Sequence, residues 1–134
     1  MTPTKPPDMQ PVIRTIAMPG DTNPAGDIFG GWLLSQMDLA AGNLAAQVAK
    51  GRSATVAIES MQFLKPVKVG DEVSLYAQML RLGRTSMRIR VSAWRRSRYS
   101  DFTEQVTQGV FSFVALTPDG RPREFDKPLP ETRY

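Results

Sequence analysis

The stretch DTNPAGDIFGGWLLSQMDLAAGNLAAQVAK, residues 21–50, carries the chain's one long run of helical periodicity. It opens on turn formers, with Asn23-Pro24 as a breaker, and passes through the pair Gly30-Gly31. The pattern predicts a helix from Gly31 or Trp32 to Lys50, with Gly51 as its stop. On a wheel of about 100° per residue, Gln36, Asn43, Gln47 and Lys50 fall on one stripe. Asp38 lies about 200° from Gln36, among Leu34, Ser35, Ala41, Gly42 and Ala45. The helix therefore turns its one central charge away from its polar stripe and toward whatever packs on it, and small residues leave room beside it.

Beyond Gly51 the chain reads mostly as strands. Residues 54–64 form one, stopped at Lys65-Pro66, and 67–71 make a turn-bearing connector. Residues 72–81 form a second strand, and 82–84 a tight turn. In 85–94, Met87, Ile89, Val91 and Ala93 alternate with Ser86, Arg88, Arg90 and Ser92, the period of a half-buried strand. Residues 95–101 are a polar hairpin loop, and 104–116 the last strand. Ahead of the helix, 12–18 make a short strand that Pro11 places at an edge. The fold class is α+β, and the short connectors imply an antiparallel meander. A flexible segment (1–11), one domain (12–117) and a loose tail (118–134) complete the division. One helix covers only one face of such a sheet, so the other face and the edges call for a partner, most simply a second copy.

Composition narrows the chemistry. The chain has no histidine and no cysteine. That excludes Ser-His-Asp and Cys-His catalysis, thiolate nucleophiles, disulfides and His-ligated zinc, and leaves acid/base work to carboxylates, Tyr, Lys or water. With 134 residues and 41% hydrophobic content there is one core's worth of chain. No signal peptide is evident, and residues 28–49 hold too many polar side chains to span a bilayer, so a cytoplasmic protein is expected. The net charge of +4 permits an anionic partner. Seven of the twelve arginines fall between Arg81 and Arg98. A nucleic-acid face would interleave aromatics with Arg88 and Arg90, and none are there. For Arg95, Arg96 and Arg98 a solvated hairpin tip is the simplest reading.

Three runs resemble the YciA-type bacterial acyl-CoA thioesterases in the same order: AMPGDTNPAGDIFGGWLLSQMD (17–38), VAIESMQFLKPVKVGDEV (56–73) and GRTSMRIRVSAW (83–94). The resemblance spans about residues 13–117. It implies the hotdog fold, in which a curved antiparallel sheet wraps one long central helix. It also implies hydrolysis of acyl-CoA to free acid and CoA without metal or organic cofactor, active sites at dimer interfaces, and a trimer of dimers. Carried over residue by residue, it assigns Asn23 as the polar residue before the helix, Gly30 as the glycine N–H at the helix start, and Asp38 as the acid within it. Some relatives use a Ser or Thr on the next strand. Val56 is the nearest match and Thr55 stands beside it, so that role is not carried over.

The residue types suit these roles. Gly30 and Gly31 sit where helix N–H groups lack partners, a candidate oxyanion hole. Asp38 is a candidate general base or nucleophile, and Asn23 a candidate hydrogen-bonding partner for water or the thioester oxygen. CoA is a polyanion; Arg84 with Ser86 at the Gly83 turn, then Lys65, are the candidate contacts. Each has a blander alternative: a buried ion pair for Asp38, a turn for Asn23, tight packing for the glycines. Asp27 and the strand residue Glu59 are rival acids. A non-catalytic acyl-CoA binding or sensing module is the alternative function, and a dehydratase is disfavoured without histidine.

Overall fold

Twenty residues with no proline and a single β-branched side chain, Val48, wind into α1 (Gly30–Ala49) in the computed structural model, which describes residues 3–129 and 134. Its buried side includes Leu33, Met37, Ala41, Leu44, Ala45 and Val48, while Asn43, Gln47 and Lys50 face out. The helix starts one residue earlier than expected, from extended Phe29, and ends at Lys50 in the left-handed conformation, φ 55°. Gly51 thus serves for room and not for its dihedral. A Cβ there would stand 2.6 Å from the Arg123 guanidinium, whose Nη2 donates to the Ala49 carbonyl at 2.8 Å and caps the helix.

Around α1 curve five antiparallel strands: β1 (Ile13–Ile16), β2 (Ser53–Phe63), β3 (Glu72–Leu82), β4 (Ser86–Arg96) and β5 (Thr103–Ala115). The expected alternation of β4 holds: Met87, Ile89, Val91 and Ala93 are fully buried against the helix side, with Arg88 and Arg90 exposed on the other. Each buried aliphatic side chain contributes about 1.5–3 kcal/mol of transfer free energy. Together with Leu75, Phe111 and Phe113 they form one continuous core with α1.

The strand order, β1-β3-β4-β5-β2, corrects the simple meander. Only β3, β4 and β5 follow one another. The helix returns the chain to the flank of β5, where Leu116 N–H donates to the Arg52 carbonyl at 2.8 Å, so β2 enters beside β5 and not beside β3. Residues 64–71 then carry the chain across the end of the sheet. The Leu64 and Lys65 N–H groups hold to Val106 at one side, and the Gly70 N–H reaches Ala17 at the other. β1, as expected, is an edge strand. β2 is the opposite edge, eleven residues long, with Val56, Ile58 and Phe63 exposed.

The segment after Leu116 touches the domain at several of its described residues. Leu116 bridges Pro122, Phe125 is 9% exposed in the core, and Lys127 Nζ donates to the Arg84 carbonyl at 3.1 Å. At the other end Val12 N–H bonds Leu75, and Pro3, Lys5 and Pro7 lie over the outer sheet face. Phe125→Ala is expected to lower unfolding free energy by roughly 3 kcal/mol, the cost of deleting a buried ring, read as a urea midpoint at fixed protein concentration.

Candidate active site

Asp38 projects from the flank of α1 onto the start of β2. The Thr55 hydroxyl donates to its Oδ1 at 2.6 Å, and the residue is half-buried. One turn on, Gly42 lies against Phe113, the cross-strand partner of Thr55, with 3.6 Å between its would-be Cβ and the ring. The small-residue stripe thus lets the helix approach closely enough for Asp38 to meet the strand. Thr55, not Val56, points this way because the β2–β5 register shifts between Thr55 and Ala57. An irregularity of this kind leaves no mark in an alternating sequence.

The helix start lies eight residues away, about 12 Å along the axis. Among the described residues, no oxygen accepts a hydrogen bond from the Gly30 or Gly31 N–H, and both glycines are exposed. The Phe63 ring sits over Gly30, and a Cβ there would be 3.3 Å from it. A groove of about 390 Å³ runs from this point between Ile28, Leu33, Leu64 and Val67, with Lys65 on its wall. Apart from Lys65, the side chains that line it are apolar.

Asn23 precedes the helix in a closed turn. Its Oδ1 accepts from the Ala25 N–H at 3.0 Å and the Asp27 N–H at 3.1 Å, and its own N–H donates to Asp27 O at 2.7 Å. The carbonyl of the side chain is therefore occupied, and only the Nδ2 hydrogens remain to be offered. Asn23 can act on another group as a donor and not as an acceptor.

Of the candidate CoA contacts, Arg84 and Ser86 stand at the Thr55 end of the sheet, since Ser86 pairs with Val114 and Val114 with Ala54. Lys65 lies at the Gly30 end. Arg84 pairs with Glu124 at 3.2 Å with both side chains largely exposed, a contact that solvent screens heavily. The Ser86 hydroxyl fills the space over Gly83. The rival acids are otherwise engaged. Asp27 takes Lys68 Nζ at 2.6 Å, and Glu59 is an exposed partner of Arg88 on the outer face, not a buried strand acid.

The arginine cluster divides similarly. Arg84, Arg88, Arg95 and Arg96 each pair with a carboxylate. Arg95 departs furthest from the expected solvated loop, with 18% of its side chain exposed. Burial acts to lower its pKa, but hydrogen bonds to Glu104 and Asp71 outweigh burial and leave it raised, so it stays charged. A larger hollow of about 450 Å³ lies on the outer sheet face beside Arg90 and Trp94, away from Asp38 and Gly30. Among the described residues there is no cluster of three metal-ligating side chains, and no helix is long and apolar enough to cross a membrane.

The thioesterase superfamily matches residues 25–100. An uncharacterized acyl-CoA thioester hydrolase of Zymomonas mobilis is 50% identical over 124 residues, 92% of this chain and 83% of its own. The acyl-CoA thioester hydrolase YciA of Escherichia coli is 48% identical over 115 residues, 84% of this chain and 87% of its own. The hexameric thioesterase y2039 from Yersinia pestis superposes with a TM-score of 0.85 at 42% identity, covering 92% of this chain and all of that one. A helix wrapped by a five-stranded antiparallel sheet, matched at this identity over most of its length, belongs to the thioesterase superfamily, on the hotdog fold and in its YciA-type branch.

Proposed function

We propose that the protein hydrolyses acyl-CoA thioesters to the free acid and CoA, at sites formed between two copies of the chain. The observation that carries this reading is a division. A braced carboxylate and two unengaged N–H groups stand at opposite ends of the same edge strand, β2. Within one protomer, Asp38 held on Thr55 lies about 12 Å of helix away from Gly30, whereas groups acting on one carbonyl must approach within about 3.5 Å. Pairing β2 antiparallel with its copy, about a two-fold near the middle of the strand, sets the Thr55 end of one chain against the partner's Phe63. It thereby brings Asp38 toward the partner's Gly30. The same operation joins Arg84 and Ser86 to the partner's Lys65 and offers CoA phosphates three donors in one place. It also covers Val56 and Ile58 and removes the long open edge. The hexameric state of y2039 from Yersinia pestis supports assembly of this kind, and a trimer of such dimers is the expected form.

In such a site the Gly30 and Gly31 N–H groups and the Asn23 amide donate to the thioester oxygen as it becomes an oxyanion. Asp38 keeps Oδ1 on the Thr55 hydroxyl, so Oδ2 is the reacting atom, whether it takes a proton from water or attacks the carbonyl carbon itself. The C–S bond breaks, the electron pair leaves on the CoA sulfur, and the second oxygen of the acid product comes from water. The apolar groove of about 390 Å³ holds the chain next to the carbonyl. The reaction as drawn uses no metal or organic cofactor. We place it in the cytoplasm, where a chain without disulfides and its CoA substrates coexist.

Thiol release from a panel of acyl-CoA esters tests the reading, and absence of release at every chain length would sink it. Asp38→Asn is expected to lower kcat by about a hundredfold or more. Asn23→Asp keeps the oxygen that closes the turn but replaces the donor with a charged acceptor, and kcat is expected to fall by at least about a hundredfold, one oxyanion donor lost and a like charge added. Thr55→Val should reduce kcat about tenfold by freeing the carboxylate, with little change in KM for the acyl-CoA.

A further inference from the structure

The Asn23 turn and the helix start do not stand on their own. Both ends of the segment that carries them hang from the turn at 67–71. Ahead of it, Ala17 N–H donates to the Asp71 carbonyl at 3.0 Å, and Gly70 N–H returns to Ala17 O at 2.8 Å. Behind it, Ile28 N–H donates to Val67 O at 3.2 Å, and Lys68 Nζ grips Asp27 Oδ1 at 2.6 Å. The 67–71 turn is in turn closed by one buried side chain. Asp71, 4% exposed, accepts the Lys68 N–H on Oδ2 at 2.9 Å while its own N–H donates to Lys68 O at 3.1 Å.

That same Oδ2 receives Arg95 Nη1 at 3.0 Å, and Arg95 Nε reaches Glu104 at 2.8 Å on the neighbouring strand. Arg95 and Glu104 are register partners near the end of β4 and the start of β5, just past a register shift between Ala93 and Trp94. The Arg95 guanidinium thus ties this turn, which runs directly into β3 at Glu72, across to β5, and through the turn to the segment that carries Asn23. The planar fork is suited to this: two N–H donors at fixed angle hold two separate carboxylates, whereas an ammonium offers one mobile point. A buried pair of this sort contributes little net stability over an apolar replacement, so its value lies in the geometry it selects.

We propose that Arg95 is a positioning residue for hydrolysis. Without touching substrate, it sets the height of the Asn23 amide relative to the partner's Asp38. The inference rests on the donor role proposed for Asn23. Nothing in the sequence marks it, since Arg95 stands in a run of arginines and its two carboxylates are remote in the chain.

A double-mutant cycle on the intact oligomer tests it, with kcat and KM measured on the best substrate of the acyl-CoA panel for wild type, Arg95→Lys, Asn23→Asp and the double variant. Arg95→Lys is expected to lower kcat roughly tenfold, because a small displacement remote from the chemistry is enough, while KM and oligomer mass stay within twofold of wild type. In the Asn23→Asp background the same change should lower kcat by less than about twofold, since the donor it places is already gone. Wild-type kcat in Arg95→Lys overturns the inference, as does an equal loss in both backgrounds, or a loss confined to thermal stability. Full activity in Asn23→Asp would instead overturn the donor role of Asn23, a separate failure. Should Arg95→Lys prove insoluble, Glu104→Gln, which loosens the Nε contact and leaves the Asp71 pair, takes its place in the cycle with a smaller loss in the same direction.

Discussion

Eight residues of helix separate Gly30 from Asp38, and a helix rises only about 1.5 Å per residue. While Asp38 is held on Thr55, that rise keeps the carboxylate and the helix N–H groups of one chain from meeting on a single thioester carbonyl. The rest of the molecule is arranged consistently with this spacing. The edge strand β2 runs beside the helix, with Thr55 and Asp38 near one end and Phe63 and Gly30 near the other, and its outer backbone has no partner strand among the described residues. A helix that was shorter, or an edge strand capped by a further element, would remove the geometric ground for the shared site proposed above.

Packing explains why the helix can lie where it does. Alanines and glycine on the face toward β5 and β2 allow backbone and sheet to approach, and the space they leave is taken by Phe113 and by the Asp38–Thr55 hydrogen bond. Larger residues would lift the helix and separate that pair. At the other end, the Asn23 turn uses its own side-chain oxygen to close itself, which leaves a directed donor and no acceptor. A lone turn former thus becomes a group of defined polarity. The charges follow the same economy of position: Asp27 and Lys68 brace the loop, and Arg95 braces the turn beneath it.

Much of this is legible in the residues. The wheel places Asp38 on the packed side of the helix, and the alternation of β4 names its buried face correctly, because both depend on local periods of 3.6 and 2. The resemblance supplies the family and the candidate roles of Asn23, Gly30 and Asp38. Other features are not legible. Thr55 escapes a sequence reading because a one-residue bulge decides which side of a strand a side chain faces. Arg95 reads as a solvated loop residue because its carboxylates, Asp71 and Glu104, come near it only once β3, β4 and β5 are paired. The C-terminal residues read as a tail because prolines and charges mask the contribution of one phenylalanine, Phe125.

By itself the sequence determined one long helix with a single inward acid, a set of strands around it, and the absence of any imidazole or thiol chemistry; each follows from residue type and short-range spacing. Only the tertiary structure decided that β2 sits at the edge beside β5, that Thr55 holds Asp38, and that the candidate CoA contacts divide between the two ends of the sheet. Those depend on pairings between strands far apart in the chain. Such pairings are set by how the whole sheet closes around the helix, and no local pattern encodes them.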